Sequence, residues 1–113
     1  MENINVNVTK KDRYNGMNSA GKAEEYLDIP LTLNGMFTFS DEVADKETGE
    51  VKEQTLICLI TDKATIASPS KTLVDSAIKL YKEFGEDEIV GLEIKITPSR
   101  SNNGRTFYRL ELV

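Results

Sequence analysis

The chain has 113 residues, 39% of them hydrophobic and 29% charged, with a formal net charge of −5 and no histidine. That length is enough for one core. The missing imidazoles remove His-based general base catalysis, Ser-His and Cys-His nucleophile pairs, and ordinary zinc sites. A lone cysteine, Cys58 in the run LICLI, permits no internal disulfide and reads as a buried small side chain in a reducing, cytoplasmic setting.

Further exclusions come from motifs. No stretch is apolar enough to span a bilayer, and MENINVNVTKK lacks the features of a secretory leader. There is no Gly-rich phosphate loop and no acidic pair in a catalytic context, so neither an enzyme nor a metal or cofactor is expected. Charge is unevenly spread. Residues 24–93 hold six lysines against sixteen acidic residues, whereas both ends of the chain are net positive. Such asymmetry points to an anionic partner.

In chain order, Ile4, Val6 and Val8 alternate with Asn3, Asn5 and Asn7, which predicts a half-buried strand. KKDRYNGMNSAGKAEE has no periodicity and reads as a loop, so residues 1–25 are expected to be a strand and a mobile arm. Leu27, Ile29, Leu31 and Leu33 then alternate with polar residues, with Pro30 marking an edge or bulge. Asn34-Gly35 offers a bulge or turn before Met36-Phe37-Thr38-Phe39 continues extended. Phe37 and Phe39 share the parity of Leu31 and Leu33 and are assigned to the core, unless a bend at Gly35 turns them outward. After an acidic segment with a turn at Lys46-Glu47-Thr48-Gly49, QTLICLIT (54–61) reads as a central strand buried on both faces, followed by a short strand at 64–67.

One amphipathic helix is clear. Ser68 is its expected N-cap, Pro69 its first residue and Gly85 its end, and Leu73, Val74, Ala77, Ile78, Tyr81 and Phe84 form its apolar stripe. Two alternating runs follow, Leu92–Thr97 and Phe107–Leu112, joined by a protruding loop with an Asn-Asn-Gly turn. The order from Tyr26 is therefore β-β-β-α-β-β. A long first strand able to bend at Gly35 makes this a mainly β, OB-fold-like five-stranded barrel in a single domain, residues 1–113, with an extra N-terminal strand and loop. A two-layer α+β sandwich fits the same order.

The segments Ala67-Ser68-Pro69-Ser70-Lys71-Thr72 and Asn103-Gly104-Arg105-Thr106-Phe107-Tyr108, within residues 54–113, resemble the small single-stranded DNA-binding proteins of phages and mobile elements in Gram-positive bacteria. The resemblance implies an OB-type fold and sequence-independent binding of single-stranded DNA in replication or recombination. A homo-oligomer and replication or recombination proteins are open as further partners, and the expected location is the cytoplasm of the host cell. The N-terminal half carries no mark of that family, and the acidic middle departs from what a DNA groove needs.

A single-strand binder needs cations beside exposed aromatic faces. On the polar face of the last strand stand Phe107 and Arg109, with Lys95 on the neighbouring strand and Arg100 and Arg105 in the loop. Phe107 either stacks on a base, covers the barrel edge or meets a second subunit. In the N-terminal arm, Lys10, Lys11, Arg13 and Tyr14 form a second basic-aromatic group able to clamp a strand. The competing reading is an acidic protein-interaction module built on the run Asp41 to Glu53, with no nucleic-acid affinity.

Overall fold

Two long strands, β3 (Leu31–Ala44) and β4 (Val51–Thr61), organise the chain as an antiparallel hairpin. The computed structural model describes residues 4–44, 47–100, 104 and 106–113. Much of the acidic segment belongs to these strands as a solvated hairpin, because the ladder continues from Ser40↔Thr55 to Ala44↔Val51 while the carboxylates Asp41, Glu42 and Glu53 point to solvent. Beyond β4 come β5 (Thr65–Ser68) and the two-residue β2 (Gly21–Lys22). On the other side of β3 lie β6 (Glu93–Arg100) and β7 (Thr106–Leu112). The order across the sheet is β2-β5-β4-β3-β6-β7, with β1 (Asn5–Val6) also paired to β3. From β3 onward this is the OB-type succession of three strands, a helix and two strands.

The sheet curls because β3 bends at Gly35. Leu33 pairs with Thr61 and Gly35 with Ile60, so Asn34 is left over as a bulge. Before the bulge, Leu31 and Thr32 pair with β6; after it, Met36 and Phe37 pair with β1 along the same edge. A Cβ on Gly35 would lie 2.7 Å from the carbonyl oxygen of Val6 and 2.8 Å from that of Asn7, so only glycine lets the N-terminal strand approach. The side-chain Nδ2 of Asn7 donates to the backbone carbonyl of Asn34 at 2.8 Å and holds the bulge.

The concave side of the curl carries Leu31, Leu33, Met36, Ile57, Leu59, Ile66, Ile94 and Ile96, all fully buried. Helix α2 (Lys71–Ile89) closes one end through Leu73, Val74 and Ala77, with Tyr81 and Phe84 packed at the margin as expected. Each fully buried aliphatic side chain contributes about 1.5–3 kcal/mol. The N-cap of α2 is Ser70, not Ser68, and its side chain accepts from the Leu73 amide. Ser68 is instead the buried last residue of β5, and its hydroxyl accepts from the Ser70 amide. Pro69 bridges strand and helix. Gly85 does break the helix, with φ 72° and ψ 178°, but one further turn follows and seats Ile89 in the core.

The N-terminal arm is not a loop. Residues Lys10–Asn18 form α1, started by a capping box in which Thr9 and Asp12 each accept the other's backbone N–H at 3.1 Å. A 3₁₀ turn at Ala23–Tyr26 then leads into β3. The strand expected at Ile4–Val8 shortens to Asn5–Val6, although Ile4 and Val6 are buried as their alternation implied. Pro98, Ser99 and Arg100, expected in the last loop, extend β6 instead, opposite Tyr108, Phe107 and Thr106. Among the described residues no helix is long and apolar enough to cross a membrane.

Candidate nucleic-acid interface

The bulge at Asn34 changes which face each β3 side chain meets. Leu31, Leu33 and Met36 enter the main core, whereas Phe37 and Phe39 are on the convex face. The bend at Gly35 thus turns both rings away from the main core, the alternative that parity had left open: one unpaired residue exchanges the two faces for everything after it, and Phe37 is buried on the other side of the sheet. Across β4 the same face carries Cys58 opposite Phe37 and Leu56 opposite Phe39. The rings of Phe37 and Phe39 sit 5.6 Å apart, tilted by 37°.

Helix α1 lies across this face and packs on β4 and β5. It approaches through Gly16, the one buried position among its nine residues. A Cβ there would stand 2.5 Å from Cys58 Sγ and 2.8 Å from Phe37 Cζ. Phe37 is fully buried beneath the helix, and the Arg13 guanidinium lies over its ring at 5.1 Å. Such a cation–π contact is worth about 0.5–1 kcal/mol, more when desolvated. Phe39 is only half-buried. Lys10, Lys11 and Tyr14 project to solvent, Tyr14 with 69% of its surface exposed. Burial, assisted by the negative charge of Asp12, pushes the Cys58 thiol up to about 12, so it is a neutral apolar group beneath the helix.

The C-terminal hairpin carries the second group. Its register sets Lys95 opposite Glu111, Thr97 opposite Arg109, Ser99 opposite Phe107, and Arg100 opposite Thr106. Phe107 is half-buried and Arg100 exposed. Arg109 is committed locally: its Nη2 donates to Glu111 Oε1 at 3.0 Å. Arg105, Asn102 and Asn103 lie outside the described residues. The curl brings the two ends of the sheet toward each other at a cleft of about 400 Å³, lined by Lys22, Ala23, Glu24, Ala67, Ser68, Pro69 and Tyr108. Among the described residues no group of three or more potential ligands is placed to hold a metal ion.

Of the residues singled out in the sequence, Lys10, Lys11, Arg13 and Tyr14 come together on α1, beside an aromatic pair that parity had hidden. Lys95, Phe107 and Arg109 share one face of the hairpin, whereas Arg100, opposite Thr106, has the parity of Ile96 and Tyr108 and belongs to the other face. Phe39 is the functional candidate that sequence reasoning missed, and Asn34-Gly35 was its signal. The family described as "Phage Single-stranded DNA-binding protein" matches residues 7–113.

The chain belongs to this phage single-stranded DNA-binding protein family.

The match takes in α1 and β3, which had carried no recognisable family mark, as well as the C-terminal half that had. No curated protein and no solved structure matches the chain. The OB-type curl and the family membership thus agree, each reached by a separate route.

Proposed function

We propose that the chain binds single-stranded DNA without regard to sequence and without catalysis, in the replication or recombination of phage or mobile-element DNA in the host cytoplasm. Family membership supports the ligand. The observation that carries the placement is the convex face of β3 and β4, where Phe39 stands half-open beside Phe37 and a helix bearing Lys10, Lys11, Arg13 and Tyr14.

Unpaired bases offer π faces and a flexible run of phosphates. Phe39 and Tyr14 supply rings to stack on, and Lys10 and Lys11 supply mobile ammonium groups for the phosphates. Arg13 holds α1 on the aromatic face. The hairpin residues Phe107 and Lys95 extend the track, with Arg100 at the end of β6 and Arg105 between the two strands in sequence, and Arg109 is a lesser contributor because Glu111 already holds it. A net charge of −5 does not oppose this, since the local field at the groove governs an anion's approach. The exposed carboxylates at the tip of the β3–β4 hairpin mark where the track ends.

The test is a titration of labelled oligo-dT, followed by anisotropy at several salt concentrations, with duplex DNA of equal length alongside. Binding to oligo-dT that weakens steeply with salt and exceeds binding to duplex is the expected result. Absence of binding at micromolar protein and low salt would overturn the reading.

A further inference from the structure

Among the described residues, Phe37 and Cys58 are the two buried apolar side chains that stand outside the main core. Their cover on the convex face is α1, and α1 is loosely attached. Of its nine residues only Gly16 is buried, while Tyr14 and Met17 are 69% and 50% exposed. Its hydrogen bonds are local: Thr9 and Asp12 cap its start, and the side chains of Asn18 and Ser19 donate to the carbonyls of Tyr14 and Asn15. Among the described residues no hydrogen bond or ion pair ties it to the sheet. A helix this short, without an apolar stripe, has little stability of its own. It is held down by the fit of Gly16 against Phe37 and Cys58, and by the Arg13 guanidinium over the Phe37 ring at 5.1 Å.

That guanidinium sits where a base would stack. A phenyl ring receives a cation and a base plane on the same π face, so the two compete for it. Arg13 has no carboxylate partner among the described residues, and leaving the ring breaks no ion pair. The neighbouring ring, Phe39, is already half-open, its centroid 5.6 Å from that of Phe37. A rise of α1 by the thickness of one base, about 3.4 Å, gives room to stack on Phe37. The links Asn7–Thr9 and Ser19–Ala20 join α1 to β1 and β2, so a raised helix stays tethered above the rings.

We propose that α1 is a strap that competes with single-stranded DNA for Phe37: Arg13 caps the ring in the free protein, and a base takes its place when the helix lifts. This role rests on the DNA-binding reading above and adds a covered stacking residue to it. A ligand shifts an equilibrium only through contacts that one state lacks, and the face of Phe37 is such a contact. The apparent affinity for DNA then scales with the fraction of molecules whose strap is raised.

Three measurements on the full chain test this. In the free protein Cys58 is the reporter, since a raised helix uncovers it: a thiol reagent is expected to modify it faster than global unfolding permits. Gly16→Ala loosens the seat, and is expected to speed that labelling and to tighten oligo-dT binding by a common factor, about tenfold. Gly16→Cys allows the reverse. A Cβ at this position lies 2.5 Å from Cys58 Sγ, close enough for diamide to oxidise the two thiols to a disulfide that pins the helix down. The oxidised form is expected to bind oligo-dT at least about fivefold more weakly than its reduced form and the wild type, with recovery in dithiothreitol. Oligo-dT carrying 5-iodouracil is expected to photocross-link to Phe37 in the wild type and not in the oxidised variant. Labelling of Cys58 only at the rate of global unfolding overturns the strap. So does equal affinity of the oxidised and reduced forms, or an affinity of Gly16→Ala that stays at the wild-type value while labelling speeds up. If no form binds oligo-dT, the DNA-binding reading falls and the strap with it; if all forms bind alike, the strap alone falls.

Discussion

Gly16 of α1 rests directly on the ring of Phe37: a Cβ at that position would lie 2.8 Å from Cζ and, on its other side, 2.5 Å from Cys58 Sγ. Both neighbours are fully buried and have no room to withdraw. Alanine is the better helix former by about 1 kcal/mol. Overpacking of this kind costs about 1–3 kcal/mol. The second effect is expected to win, so Gly16→Ala should lower stability in urea denaturation and speed amide exchange in α1 before the rest of the fold. A variant as stable as wild type, with α1 protected as before, would show that the helix is not seated on the sheet in this way.

Phe39 differs from Phe37 in being half-open on the same face. If it stacks on a base, Phe39→Ala is expected to lose about 1–3 kcal/mol of oligo-dT binding, roughly five- to 150-fold in Kd. Phe107→Ala, made in parallel, measures the hairpin's share of the same track. Circular dichroism confirms that each variant is folded before titration. Unchanged affinity in Phe39→Ala removes the convex face from the site, and a loss only in Phe107→Ala moves the site to the hairpin.

Lys10 and Lys11 stand exposed on the first turn of α1. Each phosphate contact to a single strand adds about 0.7 to the slope of log K against log salt. Lys10→Gln and Lys11→Gln are each expected to flatten that slope by about this amount, equally for oligo-dT and mixed sequences. Arg109→Gln, whose guanidinium is bound by Glu111, is expected to flatten it less. Slopes left unchanged by both lysine variants would mean that α1 faces no phosphates.

Much of the fold could be read where a side chain's period reports one environment. The alternation of Leu92, Ile94 and Ile96 against Tyr108, Leu110 and Leu112 marked the last hairpin, and the Leu73–Phe84 stripe marked α2. Helix α1 escaped because it has no stripe: it docks through a glycine, and only the Thr9–Asp12 capping pair announces it. The Phe37–Phe39 pair escaped for a different reason. Period-two reasoning assumes an unbroken ladder, and the residue left over at Asn34 inverts every face beyond it. Lys10, Lys11, Arg13 and Tyr14 were legible as chemistry but not as position, since nothing local shows that their helix is seated on the sheet with Arg13 over Phe37.

The thiol of Cys58 links the same packing to pH. Burial beneath α1, with a smaller contribution from Asp12, raises it from near 9 to about 12. In the unfolded chain the thiol ionises from near its ordinary value, whereas the folded protein keeps the proton up to about 12. Between these values the native state binds more protons than the unfolded state, so the stability this group contributes is present below about pH 9 and lost as pH rises toward 12. Its share of the slope reaches at most about 1.4 kcal/mol per pH unit. Cys58→Ala is the reference: it keeps every other contribution to the pH dependence and removes the thiol's. Urea denaturation of both proteins between pH 8 and 11 is expected to show the wild type losing stability faster, whatever constant offset the smaller side chain introduces. Parallel profiles would mean that the thiol ionises as readily in the fold as outside it, and that α1 does not exclude water from Cys58.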